Sequence, residues 1–146
     1  MKILLPVDGT ELSLHETRFA LHLVRQGLNA SFVLANVQEP ASFYEIVTAH
    51  DPALIKDVAM EAAEELMAPS ARLLQEAGVP FETAFISDNP VQGMLDLIEL
   101  HHCEMVLMGS RALGPLRRLI EGASVSRRLV EDSPVPVLLV KPPAED

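Results

Sequence analysis

Arg111, Arg117, Arg118, Arg127 and Arg128 crowd a stretch of chain in which the only acid is Glu121. The whole protein has 11 lysines and arginines against 21 acids, for a net charge of −10 at pH 7 with histidine neutral. A basic island on so acidic a chain suits an anion. Gly109, Gly114 and Gly122 lie in or beside it. Glycine lets backbone N–H groups come close to phosphate oxygens, a following helix N-terminus adds its dipole, and arginine clamps phosphate as a bidentate fork. Ser124 and Ser126 are available hydroxyl donors. The plainer alternative is a solvated helix face with glycines used for turns, and composition does not separate the two.

Other groups carry reactive side chains without forming a site. His101-His102-Cys103-Glu104 has metal-binding chemistry, but neighbouring residues on a helix diverge by about 100°. No metal is expected there. The histidines are expected near the end of a helix, where its dipole is negative. His15 and His22 are two turns apart on one helix and read as surface residues. No nucleophile has a recognisable base. Cys103 precedes a strand and reads as a buried or half-buried thiol. Ser110 lies outside any G-x-S-x-G elbow, and no G-x-x-x-x-G-K-[ST] loop occurs. No catalytic residue is assigned.

These residues are positioned by a regular alternation of elements. Lys2 to Val7 is a short apolar run ending at the turn Asp8-Gly9-Thr10, which predicts a buried strand. Glu11 to Arg25 has apolar residues near helical spacing, although Ser13-x-x-Glu16 also fits a capping box and would start the helix later. Ser31 to Val37 predicts a second strand and Gln38 to His50 a loop. Asp51-Pro52 opens a helix reaching about Ala77, which Pro69 should kink or divide. Met60 and Met67 read as its core filler. Pro80 to Ile86 and Glu104 to Met108 are further strands, separated by a helix that begins at Asn89-Pro90. Ala123 to Glu131 predicts a helix and Val135 to Lys141 the last strand.

Crossovers of this length imply parallel strands buried on both faces. The expectation is one α/β domain over residues 1–146, with a doubly wound five-stranded parallel sheet in the order 3-2-1-4-5 and helices on both faces. Ligands of such sheets bind beyond the carboxyl ends of the strands, where the winding reverses. In this order the crevice lies between strands one and four. Asp8-Gly9-Thr10 and the loop beginning at Gly109-Ser110-Arg111-Ala112 both open there.

Composition narrows the rest. Hydrophobic residues make up 49% and charged residues 22%, so the chain is globular, and the absence of Trp leaves an aliphatic core. The negative charge disfavours binding to nucleic acid. A single cysteine excludes an intramolecular disulfide. The N-terminal apolar stretch is short for a signal peptide, and no run approaches the ~20 apolar residues of a membrane span. A cytoplasmic protein without membrane insertion is expected.

Three segments together resemble the universal stress protein family. They are Ile3-Leu4-Leu5-Pro6-Val7-Asp8-Gly9-Thr10, Met105-Val106-Leu107-Met108-Gly109-Ser110-Arg111, and Ser133-Pro134-Val135-Pro136-Val137-Leu138-Leu139-Val140. The resemblance covers essentially the whole chain in order. It implies a stress-response or regulatory protein that binds an adenine nucleotide: ATP, with AMP or another adenine nucleotide as alternatives, and with Mg2+ as an accompanying ion. ATP-binding members carry G-x2-G-x9-G-[ST] after the fourth strand. Here Gly109 and Gly122 match, while Ala112 and Ala123 stand at the second and fourth positions. Ser124 follows and can take the hydroxyl role. The resemblance also implies that Asp8 accepts from the adenine amino group and that Val7 and Val37 contact base and sugar. Met108, Arg111, Ala112, Gly122, Ala123, Ser124 and Val125 complete the candidate site.

It further implies a homodimer through the closing strand, Val135 to Val140. An apolar edge strand is itself a template for pairing with a second copy. The main rival is a dimeric interaction module of the same fold whose nucleotide site has decayed. A remoter one is a receiver-like phosphoacceptor switch. It would need an acidic pair after strand one and an acceptor Asp after its third strand, whereas only Asp8 follows strand one.

Overall fold

The computed structural model describes residues 1–39, 52–110 and 123–143. Residues 40–50 of the expected loop, the Asp51 helix cap and the residues 111–122 lie outside that set, while Gln38, expected to open the loop, ends β2. Five parallel strands form one sheet: β1 (Lys2–Pro6), β2 (Ser31–Gln38), β3 (Phe81–Ser87), β4 (Met105–Gly109) and β5 (Val137–Val140). Their order is β3-β2-β1-β4-β5, as the alternation predicts. Four described helices intervene: α1 (Glu11–Arg25), α2 (Pro52–Glu76), α3 (Pro90–His101) and α4 (Ala123–Asp132).

The inner strands β1, β2 and β4 are mostly apolar on both faces, and both faces are covered. In β1, Ile3 and Leu5 pack under α1 and α2 with Ala20, Leu21, Ala63, Met67 and Leu74. Leu4 points the other way, against α3 and α4, with Met94, Leu97, Ile98 and Leu129. This is the period-2 alternation of a strand serving two cores at once.

Helix α2 runs through Pro69 as one helix, so the proline does not divide it. Its buried residues Ala59, Ala63, Met67, Ser70 and Leu74 form one inward stripe on either side of Pro69. Pro69 lies on the water side, and so does Glu65, whose carbonyl the proline leaves without its helical donor. Packing of the stripe therefore holds the helix across the proline. Met67 is in the core as expected, but Met60 is 43% exposed and is not core filler.

Two termini differ from the sequence reading. Helix α1 begins at Glu11 behind an N-cap at Thr10, whose hydroxyl accepts from the Ser13 N–H, so Ser13 is not the cap. Strand β5 begins at Val137 and not at Val135. The Ser133 hydroxyl accepts the Val135 N–H and donates to the Val135 carbonyl, which closes a turn around Pro134 and takes Val135 out of the ladder.

The side chains of the histidine cluster go to different partners. His101 faces Glu82, with Nδ1 3.2 Å from Oε1. His102 caps α3 in the left-handed region at φ 56°, and Cys103 is buried. Glu104 Oε2 accepts the Lys2 N–H. Among the described residues no cluster of metal-ligating side chains occurs. No described helix is long and apolar enough to cross a membrane.

Candidate functional site

Strands β1 and β4 pair through Ile3 and Met105 and through Leu4 and Val106. They then feed helices on opposite faces of the sheet, and the crevice opens between their ends. A cavity of about 190 Å³ lies there. Of the residues singled out from the sequence, Val7, Asp8, Val37, Met108, Gly109 and Val125 all line it. Ala123 and Ser124 open α4, the helix that brings Val125 to the wall. Arg111, Ala112 and Gly122 lie outside the described residues, as do Gly114, Arg117 and Arg118. Arg127 and Arg128 are exposed on α4, whereas Val125 and Leu129, one turn apart, pack inward.

The Asp8 turn is tightly built. Asp8 Oδ1 accepts from the Thr10 N–H at 3.1 Å, the Thr10 hydroxyl at 2.6 Å and the Ser13 hydroxyl at 2.6 Å. The Asp8 N–H donates to Ser13 Oγ at 2.9 Å. One carboxylate oxygen thus organises the start of α1, which is the ordinary work of an aspartate ahead of a helix. The same residue lines the cavity.

Val7 is 4% exposed, and both of its backbone groups are engaged. Its N–H donates to the Ala35 carbonyl, and its carbonyl accepts from Asn36 Nδ2 at 2.9 Å. Asn36 is buried and is oriented by Gln38, whose Nε2 donates to Asn36 Oδ1 at 2.9 Å. Val7 therefore offers the cavity mainly its isopropyl group.

Glu16 is the residue that sequence reasoning missed. It is 3% exposed, lines the cavity, and its Oε1 accepts the Gly109 N–H. The visible pattern, Ser13-x-x-Glu16, resembles a capping box, but its two side chains go to Asp8 and Gly109 instead. Helical register carries the signal that finds it. Ser13, Glu16, Thr17, Ala20 and Leu21 follow i, i+3, i+4, i+7, i+8, and all five are buried. A glutamate on that stripe must meet a donor inside the protein. Glu39, beyond the end of β2, adds a third acid to the wall, and no Lys, Arg or His among the described residues lines it.

The comparisons with known proteins agree on one family. The family model described as "Universal stress protein family" matches residues 1–141. A universal stress protein of Thermus aquaticus is 30% identical over 95% of this chain and 97% of its own length. Among solved structures, a universal stress protein in complex with cAMP has a TM-score of 0.71 at 19% identity, over 96% of each chain. A universal stress family protein of Arabidopsis thaliana with AMP bound has a TM-score of 0.67 at 18% identity, over 99% of this chain and 93% of that one.

Proposed function

Because this chain belongs to the universal stress protein family, we propose that it is a stress-response or regulatory module that binds an adenine nucleotide, ATP in the first instance, in the β1–β4 crevice. The observation that carries this reading is the convergence of Val7, Asp8, Val37, Met108, Gly109 and Val125 on one cavity at the topological switch point. Their chemistry suits a purine nucleotide. Val7, Val37, Met108 and Val125 offer apolar surface to the base, and the Asp8 carboxylate is an acceptor for the adenine amino group. Gly122, Ala123 and Ser124 supply the phosphate side in this reading, with Arg111 and Ala112 beside them. In this reading a magnesium ion would accompany the phosphates of ATP. The adenine ligands of two relatives of the same fold, cAMP and AMP, support the class of ligand.

The proposal includes a homodimer through β5 and a cytoplasmic setting, with Cys103 a buried free thiol. Burial, together with the nearby Glu82 carboxylate, raises the Cys103 pKa, partly opposed by the Lys2 ammonium. Such a thiol is a poor redox centre.

Nucleotide retained through purification, released by denaturation and identified by mass spectrometry, tests the binding claim, together with calorimetric titration of ATP and magnesium. Heat of binding with one site per chain is expected. A second reading, a dimeric interaction module without nucleotide, is favoured by Ala112 and Ala123, where the nucleotide-binding pattern has Gly and Ser or Thr. A persistent dimer that gives no heat and no thermal shift with any adenine nucleotide selects it.

A further inference from the structure

The crevice exists because β1 and β4 diverge before β4 ends. Their pairing reaches Leu4 and Val106, β1 stops at Pro6, and β4 continues to Gly109. On its other edge β4 stays bonded to β5. The Val106 N–H donates to the Pro136 carbonyl at 2.9 Å, and the Ser110 N–H to the Val140 carbonyl at 2.8 Å. Backbone amides alternate between the two edges of a strand, so the Gly109 N–H points the other way, into the gap that β1 has left. A buried N–H needs an acceptor. Glu16 on α1 supplies it: Oε1 takes the Gly109 N–H, and both residues are buried.

Packing reinforces this bond. A Cβ at Gly109 would lie 3.2 Å from Leu12 Cγ and 3.4 Å from Glu16 Oε1, so α1 rests directly on the backbone of β4. Leu12 and Glu16 are one turn apart on α1, and both line the crevice. The same helix begins at the Asp8 turn, which Thr10 and Ser13 hold to the aspartate. Helix α1 is thus fastened to both walls, to Asp8 at its start and to the end of β4 through Glu16.

We propose that Glu16 is a positioning residue for the crevice. Its oxygen replaces the missing strand at the Gly109 amide, holds the end of β4 at a set distance from Asp8, and so fixes the gap in which a ligand is recognised. The inference rests on the adenine-nucleotide reading above and gives Glu16 a role in that site through Gly109. It requires an acceptor oxygen at position 16, whatever the charge there.

The test combines amide hydrogen exchange, read by NMR on the ligand-free full chain, with calorimetric titration of AMP. Both are applied to the native chain, Glu16→Gln and Glu16→Leu. Glutamine keeps an acceptor oxygen at the same reach, and leucine removes it. The Gly109 amide should be protected in the native chain and in Glu16→Gln. In Glu16→Leu it should exchange at least about tenfold faster, while the core amides of Leu4 and Leu34 change less. The Kd for AMP should rise about tenfold in Glu16→Leu, the scale of one lost hydrogen bond, and stay within about threefold of native in Glu16→Gln. A merely structural role would lower the melting temperature of Glu16→Leu and leave its Kd at the native value, which overturns the proposal. So does a Gly109 amide that is unprotected in the native chain, or a Glu16→Gln variant that binds as poorly as Glu16→Leu. Should Glu16→Leu fail to fold, those last two outcomes still decide. Absence of AMP binding by the native chain removes the adenine-nucleotide reading and this role together, whereas binding that Glu16→Leu leaves unchanged removes only the role of Glu16.

Discussion

Ser13 holds Asp8 from two sides: its hydroxyl donates to Asp8 Oδ1 at 2.6 Å and accepts the Asp8 N–H at 2.9 Å. Ser13 is 7% exposed, so water does not readily replace either bond. Ser13→Ala should therefore lower stability by about 1–2 kcal/mol, the cost of stranding partners in a largely buried place. It should also weaken any ligand that depends on the Asp8 carboxylate being held in one position. Urea denaturation reads the first effect as a lowered midpoint at constant slope. An unchanged midpoint would show that the turn re-forms its bonds without the hydroxyl.

Gly93 on α3 approaches the sheet so closely that an added Cβ would lie 2.8 Å from Val37 Cγ1 and 3.2 Å from Ile86 Cγ2. Alanine is the better helix former by up to about 1 kcal/mol, yet here the contact decides the sign. Gly93→Ala should lower stability by about 1–3 kcal/mol through overpacking. It should also disturb ligand binding, because the displaced neighbour, Val37, lines the cavity. Thermal melting with a parallel nucleotide titration measures both, and a variant as stable as the native chain would refute the clash.

Much of this was legible in the residues. Strand order, parallel pairing and the two-sided core follow from strands that are apolar on both faces and separated by helical crossovers. The meeting of Asp8 and Gly109 at one crevice follows from that order. Glu16 was passed over as a wall residue because Ser13 and Glu16 sit at the spacing of a capping box, which competes with the helical register that turns Glu16 inward, and the cap at Thr10 decides between the two. The continuity of α2 through Pro69 was hidden for a similar reason. The effect of the proline depends on which side of the helix meets water, which becomes clear only once the stripe from Ala59 to Leu74 is in place. The shortened start of β5 turns on the Ser133 hydroxyl, a local bond that competes with the ladder and leaves no mark on hydrophobic pattern.

Glu82 on β3 bridges Lys2 on β1 and His101 on α3, with its Oε1 2.9 Å from Lys2 Nζ and 3.2 Å from His101 Nδ1. The hydrogen bond from Lys2 holds the carboxyl below its ordinary value of 4.5, against a smaller opposing effect of burial. A carboxylate whose folded-state pKa is depressed stabilises the protein above the unfolded value and loses that contribution as pH falls through the folded one. Glu82→Gln should therefore cost at most about 1 kcal/mol near neutrality, because the pair is exposed to solvent and screened by salt. The difference from the native chain should close in acid, below pH 4.5. Denaturation midpoints for both proteins across that range provide the check, and a difference that persists in acid would assign the effect to something other than charge.

Leu139 is 41% exposed on β5, a strand that pairs within the chain only with β4 among the described residues. Its free edge is the proposed contact with a second copy. Leu139→Lys should shift sedimentation equilibrium at micromolar concentration toward the 15.9 kDa monomer while leaving the melting profile cooperative. A native chain that already sediments as a monomer would end the dimer proposal. A variant that remains a dimer would move the interface elsewhere.

Gly9, at φ 83°, lies so close to α2 that a Cβ there would come within 2.6 Å of Leu66 Cδ2. The turn next to the crevice and a helix far along the chain thus share one small volume. A side chain at Gly9 would need the Leu66 side chain to turn aside and a backbone that tolerates the left-handed region. Of the two demands the backbone one is the harder, because Leu66 is partly exposed and its tip can move. A change at Gly9 is therefore felt on α2 as well as in the Asp8 turn.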